Sequence, residues 1–194
     1  MTDPAPPADG PGTQPADPAA PPAIEIVDAL PRDAFAAAMA PLFEGAPRFL
    51  RRLAAARPFG TTEDLFEAAR GIARSMPEPE QVELIDAHPR LGAPPGSVSA
   101  LSFREQGYDH ADVTDLAATI EALNDSYESR FGFRYCVFVA GRPRAALLPG
   151  FEAALAADRD VEKTRALDAV VDIARDRHAR LTEARDAGAK EAAP

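Results

Sequence analysis

Two reactive residue types are scarce in this 194-residue sequence. The single cysteine, Cys136, excludes an internal disulfide, and its apolar neighbours predict a buried side chain rather than a nucleophile. Only two lysines occur, Lys163 and Lys190, both in charged C-terminal surroundings. Because Schiff-base and pyridoxal-phosphate chemistry requires a lysine held in a pocket, the sequence argues against both.

Basic residues are absent before Arg32, and no apolar run approaches the ~18 residues that a membrane-spanning helix needs. Neither a secretory signal nor an Arg-rich transit peptide is therefore expected, and we predict a cytoplasmic protein that does not enter a membrane. The formal net charge is -10, and no basic stripe interrupts it. This balance argues against nucleic acid as a partner, because phosphate binding depends on a basic face.

Proline is concentrated at the start of the chain, where residues 1–22 hold eight of the twenty prolines. This composition predicts a disordered, acidic tail over 1–22. From residue 23 onward, alanine-rich stretches broken by proline and glycine predict a single all-α domain of about eight helices over 23–187. The last residues, 188–194, are predicted to be a flexible C-terminus.

The predicted helices begin near residue 31 and then cover 48–56, 62–75, 78–87, a segment ending near 131, 145–157 and 161–187. Thr62 is the predicted N-cap of the third of these helices. Leu116, Ile120, Leu123 and Tyr127 form one apolar stripe on the long helix before Gly132.

Two segments are predicted not to be helical. Residues 91–100 contain two prolines and two glycines within six positions, which predicts a loop. Residues 133–139 are aromatic and β-branched, so local preference favours an extended conformation. Because one strand cannot make a sheet, we expect this segment to thread through the helical domain.

The three histidines have different settings. His178 lies on the apolar seam of the last helix and is predicted to be a core or interface residue, whereas His110 lies in an acidic turn and is predicted to be exposed. His88 ends a helix, is followed by Pro89 and opens the 91–100 loop. That position can direct an imidazole into a cleft.

The sequence contains no His-Glu-x-x-His, no cysteine pair and no phosphate-binding loop, so neither a metal nor a nucleotide cofactor is expected. Ser102 and Glu105 have capping-box spacing, which predicts a helix start at Ser102. Alternatively, Glu105 and Gln106 would face a common volume suited to a polar heterocycle or a carboxylate. Spacing alone leaves both interpretations open.

Several motifs follow one another in an order that is typical of a known family. They are Ala-Arg-Pro-Phe at 56–59, His-Pro-Arg-Leu-Gly at 88–92, Ser-x-x-Glu-Gln at 102–106, Leu-Asn-x-x-Tyr-x-x-Arg-Phe-Gly-Phe at 123–133, Gly-Arg-Pro-Arg at 141–144 and Arg177 in the closing helix. Over roughly residues 30–182 the sequence resembles the 2-oxo-4-hydroxy-4-carboxy-5-ureidoimidazoline (OHCU) decarboxylase family of uric acid degradation. Arg90 departs from the pattern, since many relatives have aspartate there.

The resemblance implies the all-α fold of that family, without cofactor or metal and often as a homodimer, and the conversion of OHCU into (S)-allantoin and carbon dioxide. It implies a catalytic acid/base at His88, assisted by Glu105. Arg177 would lie opposite the substrate carboxylate, and the backbone of 135–139 would contact the ureido and ring amide groups. The implied substrate-binding residues are Pro89, Ser102, Gln106, Tyr135, Cys136, Val137, Phe138, Val139 and Arg177.

Two other functions remain compatible with the sequence. One is a non-catalytic helical binding module, in which His88 and Glu105 would serve only as core and capping residues. The other is a hydrolase of a related ureide. Release of carbon dioxide separates the decarboxylase from both alternatives.

Overall fold

The computed structural model describes residues 18–106 and 114–191. Its helices are α1 Ile24–Ala29, α2 Arg32–Met39, α3 Pro47–Ala55, α4 Thr62–Ser75, α5 Glu78–Asp86, α6 Ala100–Glu105, α7 Thr114–Phe131, α8 Leu148–Leu155 and α9 Arg159–Glu191, with 3₁₀ turns at Pro95–Ser97 and Arg144–Leu147. No strand occurs within the described ranges. The all-α prediction is confirmed.

The ends of the described chain pack together. Pro21 is buried, and its carbonyl accepts a hydrogen bond of 3.0 Å from Arg185 of α9. Residues 1–17 of the predicted tail lie outside the described residues, as does His110 with its predicted exposure. α9 continues through residue 191, and the flexible C-terminus over 188–194 stays a prediction.

Two predicted helix starts are wrong. Thr61 caps α4 in place of Thr62, because its extended backbone lets its hydroxyl accept a hydrogen bond from the Asp64 amide at 3.0 Å. α6 begins earlier than predicted, since Ser99 is its N-cap and accepts from the Ser102 amide at 3.1 Å. The capping-box interpretation of Ser102 and Glu105 is therefore incorrect, and both side chains are available for other contacts.

The core forms around α7 and α9. Tyr127 of α7 is fully buried and its ring packs against a group of aromatic residues: Phe131, Phe133, Tyr135 and Phe151. α9 packs along α4 and α5. His178 contributes a T-shaped ring contact with Phe66, with the ring centroids 5.7 Å apart. This packing fixes one long helix beside the segment that follows α7.

The segment after α7 is extended without a sheet partner in the described chain, as predicted. Gly132, at φ +77°, ends α7 in the left-handed conformation that glycine adopts without strain. Side chains take the place of a neighbouring strand, because Arg165 donates to the Cys136 carbonyl at 2.9 Å and Arg142 to that of Val139 at 3.0 Å. The backbone of this segment is thereby held in a fixed position.

Candidate active site

A cavity of about 330 Å³ lies between the end of α5, α6, the extended segment and α9. All eleven site residues predicted from the sequence line it: His88, Pro89, Ser102, Glu105, Gln106, Tyr135, Cys136, Val137, Phe138, Val139 and Arg177. Residues from four separate parts of the chain therefore meet around one volume. Their individual roles remain predictions.

His88 is buried beside the cavity, with 4% of its surface exposed. Neither ring nitrogen has a hydrogen-bond partner of normal geometry among the described residues. Burial, and then the nearby Arg177 guanidinium, lower the pKa of His88 to about 4, against the opposing effects of Glu44 and of the Leu84 backbone. The imidazole is therefore neutral at pH 7 and carries one N–H donor and one acceptor nitrogen.

The backbone around His88 is fixed by Arg134 of the extended segment. The Arg134 guanidinium donates to the carbonyls of Asp86 at 2.7 Å and of His88 at 3.0 Å. The Asp86 carboxylate in turn accepts from the Arg134 amide at 2.8 Å. These bonds join the end of α5 to the opposite wall of the cavity and fix the backbone that carries the imidazole.

Glu105 and Arg177 form a bidentate ion pair, with Nε to Oε1 at 2.7 Å and Nη2 to Oε2 at 2.8 Å. Arg177 has a fully buried side chain and also donates to the Pro41 carbonyl and the Ser102 hydroxyl, both at 3.0 Å. Because each guanidinium nitrogen already has a protein acceptor, a substrate carboxylate can bind Arg177 only by sharing or displacing one of them.

Glu44 is a member of this cluster that the sequence did not indicate. Its Oε1 lies 2.8 Å from Arg177 Nη2 and accepts hydrogen bonds from the Ser102 and Ser99 hydroxyls at 2.7 and 2.9 Å. Burial raises the pKa of Glu44, but Arg177 and the two hydroxyls outweigh it, so the pKa lies below its ordinary value. The only local signal is one carboxylate in the otherwise apolar turn at 42–46.

Gln106 binds the loop that follows His88. Its Oε1 accepts from the Gly92 amide at 2.8 Å, and its Nε2 donates to the Arg90 carbonyl at 3.2 Å. Asn124 of α7 donates to the Leu91 carbonyl at 2.9 Å, and Arg90 pairs with Glu128 of the same helix at 2.6 Å. The departure at Arg90 is thus accommodated by an acidic partner on α7.

The extended segment forms the opposite wall. The Tyr135 ring stacks on Phe151 with centroids 3.7 Å apart, and Val137 and Phe138 are half-buried at the cavity. Burial raises the pKa of the Cys136 thiol to about 12, so the thiol stays protonated at neutral pH. This state agrees with a buried packing residue rather than a nucleophile.

Arg180 contributes a further cation at the cavity. Its side chain is 49% exposed, and its Nη2 lies 3.2 Å from Glu105 Oε1 and also pairs with Asp176. Among the described residues its one hydrogen bond is donated by Nη2, to Glu105. This half-exposed guanidinium is within reach of an anionic ligand in the cavity.

Within residues 18–106 and 114–191, no three His, Cys, Asp or Glu side chains are grouped so that they could hold a metal ion. None of the helices in the same ranges has the length and apolar character that a membrane crossing requires.

The chain is similar to uric acid degradation proteins. It is 32% identical over 137 residues to the uric acid degradation bifunctional protein PucL of Bacillus subtilis (strain 168), a match that covers 69% of this chain but only 27% of PucL. It is 28% identical over 153 residues to the 2-oxo-4-hydroxy-4-carboxy-5-ureidoimidazoline decarboxylase of Haloferax volcanii, covering 78% of this chain and 90% of that protein. The chain thus spans about a quarter of PucL and nearly all of the Haloferax protein.

Two crystal structures share the fold. One, of an (S)-allantoin synthase, superposes with a TM-score of 0.63 at 18% identity and covers 83% of this chain and 54% of the other. The second, of an OHCU decarboxylase in the presence of (S)-allantoin, has a TM-score of 0.58 at 22% identity and covers 71% and 92%. Residues 28–179 match the family model described as OHCU decarboxylase. This chain therefore belongs to the OHCU decarboxylase family.

Proposed function

We propose that this chain is a decarboxylase that converts OHCU into (S)-allantoin and carbon dioxide in uric acid degradation. Family membership supports the reaction class. The observation that carries the chemistry is His88, a buried neutral imidazole that borders a cavity and whose two nitrogens have no hydrogen-bond partner of normal geometry among the described residues. A buried polar group without such a partner costs about 1–3 kcal/mol, so its presence beside a cavity points to a ligand that uses it.

The reaction requires one proton and no electron acceptor outside the substrate. The bond between the ring carbon and the carboxylate breaks, carbon dioxide leaves, and the electron pair passes into the ring. As the hydroxyl on that carbon becomes the ring carbonyl, a proton is delivered to the adjacent ureido-bearing carbon, and delivery to a single face gives one enantiomer. The cavity of about 330 Å³ is within the usual size range for a small-molecule site.

His88 is the better candidate for the proton transfers. A neutral imidazole can accept the proton of the substrate hydroxyl and return a proton to the ring. The two oxygens of Glu105 are already bonded to Arg177. Because both oxygens already accept hydrogen bonds from Arg177, Glu105 is better suited to accept a further hydrogen bond from the substrate and orient it.

Arg180 is suited to bind the substrate carboxylate at the cavity, while Arg177 supports Glu105 and Ser102. Replacing Arg180 by Gln should raise KM about two- to fivefold with little change in kcat, because a half-exposed ion pair contributes modestly. Arg175→Gln is the matched control, since Arg175 lies on α9 and pairs with Glu63 away from the cavity. An unchanged KM in Arg180→Gln would remove this role.

The proposed function is tested by following freshly generated OHCU by circular dichroism at an allantoin band, with and without the protein. Rapid formation of (S)-allantoin together with carbon dioxide is expected. A signal identical to spontaneous decay would favour the binding module, and ureide turnover without carbon dioxide would favour the hydrolase.

The resemblance also leads us to propose a cytoplasmic homodimer. Sedimentation velocity of the full chain at micromolar concentration tests the assembly. A single species of about 21 kDa, close to the chain mass of 20.6 kDa, would contradict it.

A further inference from the structure

Glu44 lies behind the cavity wall and does not line the cavity. One of its oxygens, Oε1, is the common acceptor for Ser99 and Ser102 at the start of α6 and for Arg177 of α9. Both Ser102 and Arg177 line the cavity, and Arg177 holds Glu105. Glu44 therefore joins the turn between α2 and α3 to the two helices that supply the polar wall.

The backbone at Glu44 is in an unfavourable conformation. Its φ is +50°, in the left-handed region, and it is followed by Gly45 at +76°. A side chain in this region is less favourable than glycine, and Asp and Asn are tolerated there better than Glu. From this backbone conformation the glutamate side chain reaches Arg177 and the Ser99 and Ser102 hydroxyls, which gives its length and charge a use.

The charges around the cavity also depend on Glu44. Arg177 of α9 lies between Glu44, 2.8 Å away, and Glu105 of α6, 2.7 Å away. The charged groups that act on the His88 ring are Arg177 and Glu44, and the protonated thiol of Cys136 faces the same cavity. Without Glu44, the buried Arg177 would have one carboxylate fewer, and Glu105 would become its sole carboxylate partner among the described residues.

We infer that Glu44 is a positioning residue, whose carboxylate fixes Arg177 and Ser102 and thereby sets the orientation of Glu105 in the cavity. This role rests on the proposed function for its effect on turnover. Its effect on the Arg177 guanidinium is independent of any activity.

Glu44→Gln is the first test, because the amide keeps the shape and loses the charge. The amide presents either an uncharged oxygen or an NH₂ donor that opposes Arg177 Nη2. We expect kcat to fall about 10- to 100-fold with a smaller change in KM, the pattern for loss of a group that orients another. Glu80→Gln is the control, since Glu80 also binds an arginine, Arg52, through both oxygens but lies away from the cavity.

A second measurement needs no substrate. The Arg177 Nε–H is buried and bonded to Glu105, so it should exchange slowly with solvent in a nitrogen-15 NMR spectrum. Arg177→Lys identifies its signal. In Glu44→Gln this exchange should accelerate at least about tenfold, and in Glu80→Gln it should not change. If the wild type forms no (S)-allantoin, the proposed function fails, while the exchange rate still decides the role of Glu44.

Glu44→Asp separates the effect of losing the negative charge from the effect of misfolding. Aspartate is better tolerated at this backbone conformation and keeps the negative charge. We expect kcat and Arg177 protection closer to wild type than in Glu44→Gln, and this variant decides the case if Glu44→Gln does not fold. The inference would be overturned if Glu44→Gln had wild-type kcat and a wild-type exchange rate at Arg177. It would also be overturned if Glu44→Asp were folded but had no higher kcat and no slower exchange than Glu44→Gln. If Glu44→Gln is unfolded, a folded Glu44→Asp variant without Arg177 protection would overturn it.

Discussion

α9 contributes to two ion-pair clusters, each with a largely buried carboxylate, that differ in what borders them. The core cluster consists of Tyr127, Glu162 and Arg165: the Tyr127 hydroxyl donates to Glu162 at 2.7 Å, and Arg165 binds the same carboxylate and the Cys136 carbonyl. The cavity cluster consists of Glu44, Ser102, Glu105 and Arg177. Both clusters combine a carboxylate, an arginine and a hydroxyl. Three members of the cavity cluster line the cavity, and the core cluster binds the carbonyl of Cys136, which also lines it.

The difference lies in the neighbouring groups. None of the unpartnered buried side-chain atoms in the described ranges belongs to the core cluster, whereas the cavity cluster adjoins His88 with two of them. Buried charge by itself therefore does not mark a functional site, because a closed network can serve packing alone. Unmet hydrogen-bonding capacity beside a cavity is the better indicator.

The largest effect is expected at His88. His88→Asn should lower kcat by roughly 10²–10⁴ while leaving the fold intact, because it removes the proton-transfer group. The rate of (S)-allantoin formation measures this loss, with the far-ultraviolet spectrum as the control for folding. A folded variant with wild-type turnover would show that the unpartnered imidazole is not the chemical centre, and the distinction between the clusters would fail.

Folding stability should also depend on pH through His88, beside the cavity cluster, in a way that the core cluster does not share. Burial, and then Arg177, lower the pKa of His88 in the folded chain to about 4, below the ~6.5 of an unfolded chain. The unfolded chain thus binds more protons between these values, so the stability contribution is complete above pH 6.5 and is lost as pH falls towards 4. Between pH 7 and 4.5 the loss is about 2–3 kcal/mol.

Denaturant titrations of the wild type and His88→Asn across this range measure that contribution. The variant lacks the titrating ring. Its loss of unfolding free energy between pH 7 and 4.5 should therefore be smaller than that of the wild type by about 2–3 kcal/mol. Equal pH dependence in both proteins would mean that His88 is not desolvated as described.

Regular features of the fold could be predicted because they depend on local sequence. The apolar stripe of α7 and the extended segment after Gly132 follow from side-chain period and residue type. The start of α6 could not be predicted, because Ser99 and Ser102 both suit an N-cap and tertiary contacts decide between them. The contact of Ser102 with Glu44 across 58 residues is one such contact.

The candidate site could be predicted only where motifs identified it. Position along the chain drew attention to His88, Glu105 and Gln106, the resemblance implied their roles, and all eleven residues line one cavity. Glu44 had no such motif, and its contact with Arg177 spans most of the domain, a separation at which periodicity carries no information. Arg180 is equally inconspicuous, as a charged residue on a helix rich in charge.

Replacing Glu162 should lower stability and leave turnover nearly unchanged, whereas replacing His88 should lower turnover and leave the fold intact. Glu162 is 2% exposed, and Glu162→Gln weakens its bonds to Arg165 and Tyr127. We expect the free energy of unfolding to fall by about 1–3 kcal/mol, because Arg165 is left without its carboxylate partner but is exposed enough to be hydrated in part. Denaturant unfolding measures this change, and kcat should stay within about threefold of wild type. A loss of turnover comparable to that of His88→Asn would place the core cluster in the active site.

The smallest effect is expected for Tyr127→Phe, which removes one hydroxyl and keeps the ring. The ring packs against Phe131, Phe133, Tyr135 and Phe151, so the aromatic core should persist. The loss is one hydrogen bond to Glu162, which still receives hydrogen bonds from Arg165, and about 1 kcal/mol of stability should be lost. The far larger cost of leaving a carboxylate without any partner should not occur. Thermal unfolding of Tyr127→Phe beside Glu162→Gln measures both, and a tyrosine variant less stable than the glutamine variant would show that the hydroxyl, not the arginine, holds the core cluster together.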